Sequence, residues 1–485
     1  GGRSYGGDNR GGGGRSYGGD NRGGRFGGEQ RGGDRGGRFG GDSRGGDRGP
    51  RFADNRGEER GRYRDTPDRE QPKDGEPRGN RRPAASSRPT VRRATVKVPD
   101  NVARLVRAGH PWIFRATVRR SLEELPTDRP VPVIDDSGYS IGWGLVEPEG
   151  AIGVRMISSE ETLQWDAEEI ERRVRTANQL REATGSLNNA CRLIHGEADG
   201  FPGLAVDRLG EFLLIYKYSR VAETYIDDLV PVLASVFEPA GIYMQDRVRP
   251  VKAGDRRPPA FHLHGKTAAG EFTVDEDGLS FFVDVTAPVS PGLFLDLREG
   301  RRMCEAWSKG RRVLNLFSFT GAFGLRALRG GATTVTNVDA AARSHAKCRQ
   351  NLVASELDPE ACEALTGDVF KHLEKMRQKE RLFDLVVVDP PPFSNVKGSL
   401  FSALKDWNHL MSAIAPVVAP GGFVLAVCNA ARLTTPEFLL ALGEGARVAG
   451  RTARVVAECG LGTDFPVLPA FTEGHYLKTR MLQLV

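Results

Sequence analysis

No stretch of the 485-residue chain approaches the roughly 20 consecutive apolar residues needed to span a bilayer, which excludes a helical membrane protein. Its amino end carries Gly and Arg where a secretory leader would have a hydrophobic core, so the expectation is a soluble, cytoplasmic protein with no membrane partner. The first residue is Gly1 and not methionine, which leaves the true start open. Its six cysteines, Cys191, Cys304, Cys348, Cys362, Cys428 and Cys459, include no C-x-x-C pair. That spread argues against a disulfide framework and against a zinc site, so reduced thiols and no metal are expected. The dinucleotide fingerprint G-x-G-x-x-G is also missing.

Charge is unevenly placed. Residues 1–90 hold 21 of the 69 Lys and Arg and 14 of the 63 Asp and Glu, a net +7, leaving 48 basic and 49 acidic groups elsewhere. The basic character therefore belongs to the amino end and says little about the globular part. Residues 1–12 read GGRSYGGDNRGG, residues 13–24 repeat them, and RGG variants continue to about Gly49. Such sequence buries too little to offset the entropy of ordering, so residues 1–92 are predicted to form a disordered RGG-rich tail. Its arginines, with Tyr5, Tyr17, Phe26 and Phe39, suit non-specific contact with phosphates and unpaired bases; a solubilising tail without a ligand is the alternative.

Three further segments follow. Residues 93–160 show short apolar strands and turns, with Val131–Ile134 running into the turn Asp135–Gly138, and read as a small β domain. Residues 161–290 mix a helical run from Glu160 to Ala183, a second helix at Ala222–Phe237 and strands at Leu204–Asp207, Phe212–Tyr218, Gly241–Gln245 and Leu279–Val285, and read as an α+β connecting domain. Residues 291–485 alternate apolar strands (Val313–Leu316, Thr334–Val338, Leu385–Val388, Phe423–Val427) with glycine turns and helices. That rhythm predicts an α/β fold with a doubly wound, parallel-rich sheet whose ligand lies at the carboxyl ends of the strands.

The chemistry-bearing loops sit at those strand ends. The first strand, with Asn315, runs into Phe317, Ser318, Phe319, Thr320, Gly321 and Ala322, small residues that let backbone approach a ligand as a helix begins. The second strand ends in Asp339, where Rossmann-like folds place a carboxylate for the two ribose hydroxyls. Asp368 follows Gly367 near the end of the third strand, at the place of the adenine edge. After the fourth come Asp389, Pro390, Pro391, Pro392, Phe393, Ser394 and Asn395, a D-P-P-aromatic loop whose stiff prolines would close over a methyl group and fix a base beside it. A cofactor without a pyrophosphate, such as S-adenosyl-L-methionine, explains the missing fingerprint.

Across Val96–Val485 the chain resembles the RlmI-type methyltransferases of bacterial large-subunit rRNA. The resemblance is carried by His110–Phe114, LIHGEADGFPGLAVDR at Leu193–Arg208, GLFLDLR at Gly292–Arg298, Asn315–Gly324 and Glu473–Lys478. It implies an amino-terminal PUA-like domain, a connecting domain, a Rossmann-like class I methyltransferase domain and structured ribosomal RNA as partner, with a homodimer left open. It also implies that Phe294, Asp296 and Arg298 border the cofactor pocket. His110 and Trp112 either share in function or pack a β-domain core.

One departure bears on mechanism. In the RlmI pattern a cysteine after the fifth strand attacks cytosine C6 so that C5 can take the methyl group, a base then removing the C5 proton. Alignment on Leu433 and Thr434 puts Asn429 at that place, with Cys428 one residue earlier, where strand alternation turns it towards the core. The same loops also resemble the RlmK-type domain, whose product is guanine methylated at N7. Cytosine C5 and guanine N7 are both open at this stage. So are two other classes, a catalytically inactive RNA-binding assembly factor, which would fail to bind S-adenosylmethionine, and a small-molecule methyltransferase, which would leave RNA unaltered.

Overall fold

The computed structural model describes residues 94–119, 121–248, 257–396 and 399–485, all within one compact unit from Ser87 to Val485. The Arg- and Gly-rich tail, with the RNA contacts expected of it, lies outside the described residues, as do the side chains of Ser394 and Asn395.

The first sheet contains β1 (Val96–Lys97), β2 (Trp112–Phe114), β3 (Val131–Ile134), β4 (Ser140–Val146) and β5 (Ile152–Ser158) in the order β1-β3-β4-β5-β2. The predicted turn joins β3 to β4, with Gly138 at φ 88° and Tyr139 N–H donating to Asp135 Oδ1 at 2.9 Å. A helix unforeseen in the sequence, α1 (Asp100–Arg107), packs Val102, Ala103 and Val106 into the core of this sheet. Its single short apolar face is too brief a pattern to stand out among strand signals.

The second layer starts with α2 (Ala167–Ala183), later than the charged run suggested, because Asp166 caps it by accepting from Glu169 N–H at 3.0 Å. The strands β6 (Ala190–His195), β7 (Leu204–Leu209), β8 (Phe212–Lys217), β9 (Gly241–Asp246) and β10 (Phe261–Gly265) form a sheet in reverse order, β10 to β6, with α3 (Ile226–Phe237) packed against it. A hairpin of β11 (Phe272–Glu276) and β12 (Leu279–Val283) turns on Asp277 and Gly278, both at positive φ, as a two-residue turn requires. Its Val274, Leu279 and Phe281 share a core with Leu325 and Cys348, joining this layer to the next.

The third layer is a seven-stranded sheet of β13 (Arg312–Leu316), β14 (Thr334–Asp339), β15 (Cys362–Thr366), β16 (Phe383–Val388), β19 (Val418–Cys428), β20 (Ala453–Cys459) and β21 (Lys478–Leu484). A small hairpin, β17 (Phe393–Val396) and β18 (Ser399–Ser402), interrupts the count after β16. The order is β15-β14-β13-β16-β19-β21-β20, parallel except for β21, which runs antiparallel to both of its neighbours. Helices α4 (Arg298–Ala306), α5 (Ala322–Arg329), α6 (Ala342–Ala354), α7 (Val369–Gln378), α8 (Trp407–Ile414) and α9 (Thr435–Val448) cover it. The apolar runs are continuous because both faces are buried. Val313, Leu385, Val387 and Leu425 pack on the side of α4 and α5, while Leu314, Leu316, Val386, Val388 and Val424 pack on the side of α7, α8 and α9. Among the described residues no helix is long and apolar enough to cross a membrane. The chain leaves β13 to β14 on one side and to β16 on the other, opening a crevice at the carboxyl ends of these strands.

Candidate active site

That crevice is a cavity of about 590 Å³. Its floor is the loop after β13, where Phe317 (φ 56°) and Phe319 (φ 47°) hold left-handed conformations that cost a non-glycine residue energy. The surroundings impose them. Ser318 N–H donates to Val338 O (3.0 Å), Gly321 N–H to Ser318 O (2.8 Å), and Asn351 Nδ2 to Thr320 O (3.1 Å). Gly321 itself sits at φ 80°, and a Cβ there would lie 2.2 Å from Cys348 Sγ, so both backbone and space demand glycine. Asp339, at the end of β14, accepts from Phe319 N–H and Ala341 N–H, each at 2.8 Å. Two backbone donors thus fix its carboxylate and tie it to the glycine-bearing loop.

The facing wall carries Phe294, whose ring centroid lies 5.5 Å from that of Phe319, and Asp296, whose Oδ2 accepts from Tyr476 Oη at 2.8 Å. Asp389 closes the end of β16, followed by Pro390, Pro391 and Pro392 in the wall. Burial, reinforced by the nearby Asp296 charge, pushes the Asp389 carboxyl up to about 7.

Of the residues singled out in the sequence, Phe294, Asp296, Phe317, Ser318, Thr320, Ala322, Asp339, Asp368, Asp389, Pro390, Pro391 and Asn429 line this cavity. Arg298, Asn315, Gly321, Phe393 and Cys428 do not. Arg298 opens α4, is 3% exposed and pairs with Asp464 at 3.0 Å; one helical turn later Arg301 reaches the cavity instead. Asn315 is buried under the loop, donating to Asn337 Oδ1 at 2.8 Å, and Gly321 acts through its backbone. Phe393 is 63% exposed, because the third proline of the run takes the wall position where the loop pattern places an aromatic ring. Cys428, the last residue of β19, is 1% exposed among the core residues that include Trp407 and Phe438, and burial raises its thiol pKa. Asn429, one residue on, is exposed and points into the cavity.

Sequence reasoning gave no role to Arg301, Phe370 and Tyr476. Tyr476 falls within the Glu473–Lys478 block, yet its bond to Asp296 joins positions 180 residues apart. It also missed a second cavity of about 660 Å³ that shares Phe294, Asp296, Pro392 and Asn429 with the first. Trp112 lies in its wall, donating through Nε1 to Glu197 Oε1 at 2.7 Å and meeting Phe471 edge-on at 4.6 Å between centroids, while Ile113 of that cluster is buried in the β core. His110 lies 3.2 Å from Glu473, beside the same cavity.

Comparison with known proteins agrees with this arrangement. The family model of S-adenosylmethionine-dependent methyltransferases matches residues 192–470, and that of the PUA-like domain matches residues 96–159. The ribosomal RNA large subunit methyltransferase I of Enterobacter sp. (strain 638) is 30% identical over 76% of this chain and 94% of its own length. That of Shewanella denitrificans is 31% identical over 79% and 97%. Two solved structures share the fold at 24% identity, each overlapping 80% of this chain and 99% of its own. One is described as a SAM-dependent methyltransferase from Streptococcus mutans (TM-score 0.71), the other as a methyltransferase complexed with SAH (TM-score 0.73). With its strained loop, fixed acidic strand end and proline-walled crevice, this chain belongs to the S-adenosylmethionine-dependent methyltransferases, in the family of ribosomal RNA large subunit methyltransferase I.

Proposed function

We propose that this chain methylates a base of large-subunit ribosomal RNA in the cytoplasm by direct transfer to a ring nitrogen, with guanine N7 as the acceptor in place of cytosine C5. The names of its relatives supply the RNA class, and the PUA-like match is in keeping with a structured RNA.

The first cavity fits S-adenosyl-L-methionine. Asp339 is held by two backbone donors and keeps acceptor capacity for the paired ribose hydroxyls. Asp368 caps α7 by accepting from Lys371 N–H with one oxygen at 3.0 Å, which leaves the other for an adenine amino group. Phe317 and Phe370 offer apolar surface to the base, and Asp296 and, once ionised, Asp389 place carboxylates in the cavity wall. The cofactor supplies a methyl group on a sulfonium centre. Pro390, Pro391 and Pro392 stiffen the wall against which an acceptor would be oriented, and orientation is the main requirement of an in-line displacement.

The observation that best supports the nitrogen acceptor is the pair Cys428 and Asn429. Cytosine C5 becomes nucleophilic only when a thiolate adds at C6. Cys428 faces the core with its thiol pKa raised, and no cysteine is among the described residues that line either cavity. Asn429 stands where the two cavities meet, and an amide can orient a base but cannot add to it. Guanine N7 already has a lone pair; the positive charge passes to the base and no proton is released. Large-subunit rRNA transcribed with 5-fluorocytidine provides the test, because a covalent cytosine intermediate is trapped by the fluorine. The reading expects no denaturant-resistant protein–RNA complex with S-adenosylmethionine present, and a stable complex would overturn it.

A further inference from the structure

The second cavity is joined to the first through Asn429 and Pro392, so whatever occupies it lies next to the proline wall of the first. Its far wall is aromatic and cationic. Tyr216 and Tyr218 stand 6.1 Å apart between ring centroids at an interplanar angle of 12°. Tyr216 is buried, with the Arg192 and Arg247 guanidinium groups over its ring at 5.7 and 5.8 Å. Tyr218 is 53% exposed. A large half-exposed ring, parallel to a buried one and facing a cavity, has one face without a protein neighbour to stack on it.

The backbone holds that ring in place. Tyr218 N–H donates to Gly203 O at 2.8 Å, and a Cβ on Gly203 (φ 74°) would come 2.4 Å from Ser219 Cβ. The close approach of these two segments therefore depends on glycine at 203. Arg247, whose guanidinium lies over Tyr216, is itself anchored, its Nη2 donating to Gln245 Oε1 and to Val289 O.

Charge argues which part of a nucleic acid would enter. Arg192 is already committed to Asp207, and Arg155 to Glu147 and Glu197, so the cations in this wall are largely neutralised by carboxylates. A phosphate would meet those carboxylates, whereas a neutral base would meet a ring face.

We infer that the second cavity receives the target nucleobase, turned out of structured RNA, with Tyr218 as its stacking platform. Enzymes that act on a base take it out of the stack and hold it against aromatic rings, and the space of about 660 Å³ lies within the range of ligand pockets. Tyr218 is then a base-binding residue that sets acceptor affinity without touching the cofactor. The inference rests on the RNA-base reading above.

The full chain, an in vitro transcript of large-subunit rRNA and radiolabelled S-adenosylmethionine test it. Tyr218→Ala should lower kcat/KM for RNA roughly 5- to 150-fold, the range for losing one base–aromatic stack. Tyr218→Phe should restore most of that loss, and calorimetry should show an unchanged Kd for S-adenosylmethionine in both variants. Wild-type kcat/KM in Tyr218→Ala would overturn the inference while leaving the RNA-methyltransferase reading intact, as would an equal loss of cofactor affinity. A wild-type protein that transfers no methyl group to the transcript would overturn both.

Discussion

The cavity at the ends of β13 and β14 is floored by loops that succeed one another along a single sheet, whereas its neighbour gathers Trp112 from β2, Arg192 from β6, Tyr218 after β8 and Tyr476 before β21. The first is held by backbone, through positive φ at Phe317, Phe319 and Gly321 and two amides on Asp339. The second is held by side chains, through the pairs of Arg155 with Glu147 and Glu197 and of Arg192 with Asp207. A ligand common to many methyltransferases suits the rigid backbone site. An acceptor that differs between enzymes suits walls whose side chains can change without disturbing a strand.

This contrast makes separable demands. Asp389→Ala, in the wall of the first cavity, should lower kcat by about 10²-fold or more in single-turnover methyl transfer, because misplacement at the reacting centre is costly. The wild-type rate should climb as pH rises through about 7, where the Asp389 carboxyl ionises, and the Asp389→Asn profile should lack that limb. The same group has the opposite effect on stability. Its folded pKa lies above the unfolded value, so the cofactor-free fold loses stability as pH rises from about 4 to about 7. Asp389→Asn should accordingly melt higher than wild type at pH 8 by calorimetry.

Asp339→Ala strands two amide donors and removes the ribose acceptor, so the Kd for S-adenosylmethionine should rise roughly 10- to 100-fold by calorimetry, with RNA affinity in gel shift unchanged. Loss of RNA binding alone would erase the distinction between the cavities. Gly321→Ala forces a Cβ towards Cys348 at positive φ and should cost about 1–3 kcal/mol, seen as a lower Tm and weaker cofactor binding. The smallest effect belongs to Cys428→Ser, which should leave kcat unaltered; an inactive variant that still folds and binds cofactor would return the thiol to the mechanism.

The same contrast explains what could be read in the sequence. Burial on both faces of β13, β16 and β19 follows apolar runs that are visible as text, and the loops that end these strands inherit their place from the sheet. Asp339, Asp389 and Asn429 were legible for that reason. Arg298 and Arg301 were confused because one turn of α4 decides which faces inward, and the sequence there does not announce where the helix begins. Phe393 was misplaced by a single extra proline. The second cavity was not legible as one site, because its lining is divided among the His110–Phe114, Leu193–Arg208 and Glu473–Lys478 stretches and Tyr218, which come together only through tertiary packing. Helix α1 went unread because strand signals surround its one apolar face.

Nucleoside mass spectrometry of large-subunit rRNA from cells with and without the gene tests the central claim most directly. The account expects 7-methylguanosine at one site to disappear on deletion and return with the wild-type protein, with 5-methylcytidine unchanged. Loss of a 5-methylcytidine with all 7-methylguanosine retained would contradict it.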